Sequence, residues 1–214
     1  MPRRMDSRPT VLLTGFGPFP GVPINASGEL ARKLARMARR ALPEFCFTVA
    51  VLPTEWNRAP RLIANLHERH RPLLALHFGV AAGAKTIRLE TEAANVCRAA
   101  SDAAGAHPAA AQLAEDGPAV RRSSIAAPSI AAALNAKGYP SSISNDAGGY
   151  LCNAVLYHSL AAAEARGDCR VGFVHIPSDL SEPSLDMTAV SAAALEILKI
   201  ALNTAAAETS LTLV

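Results

Sequence analysis

TVLLTGFGPFPGVPINASGELARKLARMARRALPEFCFTVAVL, residues 10–52, carries the architecture in miniature. Its first seven residues are an apolar run ended by Gly15 and Pro18, which reads as a buried strand opening into a loop. Gly17 to Ile24 is that loop, rich in Gly and Pro. Ser27 reads as the cap of a helix through about Ala41, with Leu30, Leu34 and Met37 on one face and Arg and Lys on the other. Pro43 ends the helix, and Phe45 to Leu52 reads as a second strand. Strand, helix and strand in this order call for a parallel pair joined by a crossover helix.

The alternation continues outward. A helix carries Leu62, Ile63 and Leu66, and a third strand spans Leu73 to Gly79. A small-residue loop, Ala81 to Ala84, leads into an extended stretch within Thr86 to Val96. Residues 97–123 lack periodicity and read as an excursion. A helix over Ala126 to Lys137 ends at Gly138, a strand follows at Ser141 to Ser144, and a helix runs from Tyr150 to Ala165. Val171 to Val174 is the last strand, stopped by Pro177, and a final helix runs from about Leu185 to Asn203. The pattern predicts an α/β fold: one domain over residues 10–214, a mostly parallel twisted sheet, helices on both faces, and a basic tail at residues 1–9. In such sheets functional groups collect at the carboxyl ends of strands.

Composition narrows the function. Half of the 214 residues are hydrophobic and only 18% are charged, which excludes a disordered chain. The net charge of +3 owes part of its excess to MPRRMDSR, and no basic stripe with interleaved aromatics exists, so nucleic acid is excluded as a partner. No signal peptide is expected, because VLLTGF breaks at Gly-Pro, and no apolar run approaches the roughly twenty residues that cross a bilayer. Cys46, Cys97, Cys152 and Cys169 lack paired spacing, which predicts reduced thiols in a soluble, cytoplasmic protein.

Three segments can carry chemistry. In SNDAGGYLCN, residues 144–153, two glycines precede a cysteine in the first turn of a helix. Free N–H groups and the dipole at a helix start stabilise a thiolate and can hold an oxyanion. A buried structural cysteine is the competing reading for Cys152. VGFVHIP, residues 171–177, places His175 where a strand runs out into a loop, so it can project into a cleft; a core histidine bonded to backbone is the alternative. If its strand neighbours the one leading to Cys152, thiol and imidazole can pair. The third member must fix the imidazole tautomer, and in TIRLETEAAN alternation puts Glu90 and Glu92 on one face, where spacing does not rank them.

Taken together, these segments resemble the pyrrolidone carboxyl peptidases (pyroglutamyl peptidase I), cysteine exopeptidases that remove an N-terminal pyroglutamyl residue. TGFGPFPGVPINAS at 14–27 resembles the family opening, IRLETEAAN at 87–95 the block with the catalytic Glu, and SNDAGGYLCN followed by GFVHIP the Cys and His blocks. The resemblance implies Cys152 as nucleophile, His175 as base and later acid, and Glu90 as the orienter. It further implies a pocket in which Phe16 and Phe19 flank the flat lactam and Asn25 organises the site, with Tyr150 and Leu151 also contacting substrate. It implies no metal or organic cofactor, a small peptide substrate with N-terminal pyroglutamate, no membrane partner, and a homo-oligomer, a tetramer. The chain departs from the family at Ala26, where proline is usual, in GVAAGA at 79–84, where many bacterial members read Gly-Gln-Ala-Gly-Gly-Arg, and at Ala100, where many carry arginine. Arg98 is near enough to substitute.

Two other functions fit the same residues: a thiol amidohydrolase for another small cyclic amide, and an inactive ligand-binding homologue. Gly15, Gly17 and Gly21 do not make a dinucleotide loop, since Pro18 and Pro20 remove N–H groups a phosphate would need. His67, Glu68 and His70 read as a charged helix face without zinc-ligand spacing.

Overall fold

The computed structural model describes residues 8–19 and 22–211, the segment 204–211 by backbone alone. Most of the expected basic tail, with Pro20 and Gly21 of the loop, lies outside the described residues. Arg8 is described, and its guanidinium donates to the Pro43 carbonyl (2.8 Å), tying the chain to the end of the first helix connection.

Strands β1 (Thr10–Phe16), β2 (Cys46–Leu52) and β3 (Leu74–Ala81) alternate with helices α1 (Ala26–Ala41) and α2 (Ala59–His70). The short strands β4 (Ile87–Glu90), β5 (Glu92–Ala94) and β6 (Val120–Arg122) follow. Then come α3 (Ala127–Ala136), β7 (Ser141–Ser144), α4 (Leu151–Arg166), β8 (Arg170–Pro177) and α5 (Met187–Leu211). Six strands form one sheet in the order β2-β1-β3-β8-β4-β7. The first four are parallel, β4 is antiparallel to β8, and β7 is parallel to β4. β5 and β6 form a separate antiparallel pair.

Alternation along the strands sorts side chains onto two apolar faces. Val11, Leu13, Leu74, Leu76, Phe78, Ile87, Leu89, Val174 and Ile176 pack with α1, α3 and α5. Leu12, Ala75, Val171 and Phe173 pack with α2 and α4. Each fully buried Leu or Val in these layers contributes about 1.5–3 kcal/mol. The α2/α4 layer also holds a polar chain. Thr14 Oγ1 contacts His77 Nδ1 (2.7 Å), and His77 Nε2 and His67 Nε2 both contact Ser159 Oγ (2.7 Å each). Burial, with Arg166 nearby, holds His67 down to about 4, and burial, with His67 nearby, holds His77 down to about 3. His67 is therefore a neutral core residue, not part of a charged helix face.

Other local readings shift for physical reasons. The cap of α1 is Asn25, whose side chain accepts the Ser27 N–H, while Ser27 sits inside the first turn. β8 continues through Pro177; β4 pairs only with Phe173 to His175, so the absent proline N–H breaks no bond on that side. The excursion is ordered by polar side chains. Asn95 binds the backbone of Leu113, Ala114 and Gly117, and the Asp102 carboxylate accepts N–H groups from Trp56, Ala104 and Ala106.

Candidate active site

β7 is not adjacent to β8, since β4 lies between them, so Cys152 does not reach His175 from a neighbouring strand. After Ser144 the chain doubles back through residues 145–150, using Gly148 at φ +80° and an Asp146 carboxylate that accepts the Gly148 N–H (2.8 Å). It then enters α4 at Leu151, with Tyr150 as an extended N-cap whose side chain makes no capping bond. Among the described residues no side chain caps this turn, so its N–H groups can face a ligand, and Cys152 is the second helical residue. Tyr150 is anchored elsewhere, its hydroxyl donating to the Ser101 carbonyl (3.0 Å) and its ring meeting Trp56 edge-on at 5.1 Å.

Asn153 holds this turn in place. Its amide accepts the Ala94 N–H (2.9 Å) and donates to the carbonyls of Ala94 (2.8 Å) and Val96 (3.2 Å), clamping α4 to β5. Sequence reading missed Asn153; the available signal is an amide in the first turn of a helix that is otherwise apolar on nearly every side.

His175 is nearly buried and projects from β8 toward α4. Its Nδ1–H donates to Glu90 Oε1 at 2.8 Å, and Glu90 is fully buried. Arg88 stands directly opposite His175 across the β4–β8 pair, so Glu90 is the diagonal neighbour on the same face. The other ring nitrogen, Nε2, is left on the Cys152 side, where Sγ and the imidazole edge meet above Gly79. Burial opposes a charged imidazole here. The charge and hydrogen bond of Cys152, then the hydrogen bond and charge of Glu90, overcome it and push His175 up to about 9. Glu90 and Glu92 do not share a face, because the chain leaves the six-stranded sheet at Thr91. Glu92 belongs to β5 and pairs with Arg122 at 3.3 Å on the surface.

Gly79 forms the floor of this group. It pairs in register with His175, and a Cβ on it would lie 2.9 Å from Cys152 Sγ, 2.9 Å from Phe173 Cζ and 3.0 Å from His175 Cδ2. Only a hydrogen fits between thiol and imidazole there.

A cavity of about 870 Å³ opens over Cys152 and His175. Phe16, Phe19, Asn25, Tyr150 and Leu151 all line it, in company with Arg88, Arg98 and Asp146. Their parts differ. Phe16 and Leu151 are core side chains that expose only an edge, whereas Phe19 is half-buried with its ring 6.2 Å from that of Tyr150. Asn25 braces the loop, donating to the Gly17 carbonyl (3.1 Å) and accepting from the Ser27 hydroxyl (2.7 Å). Arg98 is exposed at the rim, its N–H donating to the Gly149 carbonyl (2.7 Å).

The remaining thiols are poorly placed for chemistry. Burial pushes Cys169 up to about 12, with the Asp168 charge adding to it against Arg166, and burial raises Cys97 as well. Among the described residues no cluster of three or more His, Cys, Asp or Glu could hold a metal ion, and no helix is long and apolar enough to cross a membrane.

A thiol at an open helix start, beside an imidazole that is bonded to a buried carboxylate, is equipped for acyl transfer. Comparison with known proteins points the same way. The family model described as pyroglutamyl peptidase matches residues 9–211. A pyrrolidone-carboxylate peptidase of Cupriavidus taiwanensis is 36% identical over 93% of this chain and 92% of its own length. One from Gloeobacter violaceus is 34% identical over 78% of this chain and 80% of its own. A solved pyrrolidone carboxyl peptidase variant from Pyrococcus furiosus superposes with a TM-score of 0.84 at 28% identity, covering 92% of this chain and 99% of that one. Pyroglutamyl peptidase I of Bacillus amyloliquefaciens gives 0.80 at 26% identity, covering 91% and 97%.

Proposed function

This chain belongs to the pyroglutamyl peptidase family of cysteine peptidases, and on that premise we propose that it hydrolyses the amide bond after an N-terminal pyroglutamyl residue through a thioester on Cys152. The observation that carries this reading is the grouping of Cys152 beside His175 over Gly79, with His175 bonded to the buried Glu90.

The Cys152 thiolate attacks the pyroglutamyl carbonyl, forming a C–S bond, and the oxyanion is met by free N–H groups at the start of α4. His175, charged while the thiolate is present, gives its Nε2 proton to the leaving amine as the C–N bond breaks. In the second half His175 takes a proton from water, the hydroxide adds to the thioester, and loss of sulfur releases pyroglutamate and restores the thiolate. Glu90 touches no reacting atom. It is a positioning residue that keeps the Nδ1 proton on its own side and the ring turned to sulfur. The lactam is uncharged and flat, which suits the half-buried face of Phe19, with Phe16 at the end of β1 beneath it and Asn25 bracing the loop that carries Phe19.

Release of a chromophore from a pyroglutamyl amide tests the reaction. Cys152→Ala is expected to lose several orders of magnitude in rate while keeping its melting temperature. Turnover near that of the unmodified protein would remove Cys152 from the mechanism. We assign residues 10–214 to one peptidase unit, soluble and cytoplasmic, assembled as a homotetramer as the family resemblance implies. Light scattering behind a sizing column reads the last point directly.

A further inference from the structure

Two arginines in the cavity have nothing to do for a neutral lactam. Arg88 is half-buried, lines the cavity and lies directly opposite His175 on the same face of the sheet. Arg98 lines it from the Gly149 side. Several arginines elsewhere in the molecule sit against carboxylates, among them Arg58 with Glu55, Arg121 with Glu164, Arg122 with Glu92 and Arg166 with Asp168. Among the described residues neither Arg88 nor Arg98 has an acidic partner within ion-pair distance: Glu90, two residues along the same face from Arg88, is bonded to His175, and Asp146 on the cavity wall is turned to the Gly148 N–H. A guanidinium on a cavity wall with no ion pair of its own can receive a carboxylate through two parallel N–H donors.

The position of Arg88 says which part of a ligand does so. His175 delivers its proton to the nitrogen of the departing residue, and a side chain directly across the strand pair has its Cβ about 4.5–5.5 Å from that of His175. In a departing amino acid the carboxylate lies two bonds from that nitrogen. A carboxylate there comes within reach of Arg88, with Arg98 reinforcing the positive potential at the rim.

We infer that Arg88, assisted by Arg98, forms a leaving-group subsite for a carboxylate, so that the enzyme favours pyroglutamyl substrates whose second residue is negatively charged. This rests on the reading that Cys152 opens the amide after pyroglutamate. The carboxylate is either the free C-terminus of a dipeptide or an acidic side chain.

The experiment compares kcat/KM for pyroglutamyl-alanine with its C-terminal amide, and for pyroglutamyl-glutamate amide with the glutamine counterpart. A neutral chromogenic pyroglutamyl amide is run in parallel. The charged member of at least one pair should win by about two- to fivefold at low ionic strength, which is what a partly exposed ion pair supplies. The winning pair identifies the source of the carboxylate. The advantage should shrink in high salt, collapse in Arg88→Gln and persist in part in Arg88→Lys. The wild-type ratio and its salt dependence need no variant, so a folding defect in Arg88→Gln leaves the test intact. Hydrolysis of the neutral substrates with no advantage for either charged one overturns the subsite and leaves the peptidase reading standing. Inertness of every pyroglutamyl substrate overturns the peptidase reading itself. An advantage that survives Arg88→Gln removes Arg88 from the subsite.

Discussion

Replacing Gly79 with alanine places one methyl group between the nucleophile and its base. The added carbon would begin 2.9 Å from Cys152 Sγ and Phe173 Cζ and 3.0 Å from His175 Cδ2, whereas relaxed contacts between such atoms are about 3.5–4.0 Å. Something must move by about 0.5–1 Å, and Phe173 is fully buried, so the displacement falls largely on sulfur and imidazole. Gly79 has no positive φ, so the backbone accepts alanine and the effect is one of space alone. A misplacement approaching 1 Å at reacting groups costs up to about a hundredfold in rate. The expected loss in kcat/KM is about 10- to 100-fold, or about 1.4–2.7 kcal/mol in the barrier. Overpacking should also lower stability by about 1–3 kcal/mol. Three readings on one preparation are needed: the melting curve, kcat/KM on a pyroglutamyl chromogenic amide, and the rate at which iodoacetamide alkylates Cys152. Wild-type turnover and alkylation in a protein of unchanged melting temperature would refute the claim that the pair is packed against Gly79.

Glu90→Gln should depress kcat far more than Glu92→Gln, because Glu92 only meets Arg122 at the surface; equal losses in a parallel assay would contradict this. His175 is raised above its ordinary value, so the imidazolium and the pairing it supports are complete below about pH 6.5 and fade as pH climbs through about 9. Both activity and the stability that this pairing adds should therefore decline on the alkaline side, and in Glu90→Gln, scored by kcat/KM against pH, the decline should move to lower pH. Phe16→Ala should behave as a core truncation costing about 3–5 kcal/mol of stability, whereas Phe19→Ala should keep its melting temperature and lose about tenfold in the specificity constant as one stacking face disappears. Unchanged turnover in a stable Phe19→Ala protein would take that ring out of the pocket.

What could be read in the sequence was whatever local periodicity or chain punctuation controls. β1, α1, β2 and β7 fall within a residue or two of their expected bounds, since apolar runs ending at Gly or Pro leave little freedom. The cysteine at a helix start and the histidine at a strand end were visible for the same reason. Long-range order was not. No local pattern announces that β4 and β7 run against β8, so the condition that the strand before Cys152 neighbours that of His175 is not met, and the two residues flank Gly79 by another route. Alternation failed at Glu90 and Glu92 because it holds only within one strand, and β4 ends between them. Residues 97–123 were unreadable because Asn95 and Asp102 order them by binding backbone, which leaves no hydrophobic rhythm.

The reversed strand β4 makes sheet register a part of the chemistry. It is four residues long; Arg88 and Glu90 face the cavity side, while Ile87 and Leu89 are buried on the other with α1, α3 and α5. A slip of one residue would carry the carboxylate through to the far side of the sheet. Those two apolar side chains act as detents, each seated in a socket that fixes where the strand stops. The fidelity of proton transfer thus depends on packing behind the sheet, at positions that no substrate ever meets. Drift at Ile87 and Leu89 is constrained from the active site by leverage, not by contact.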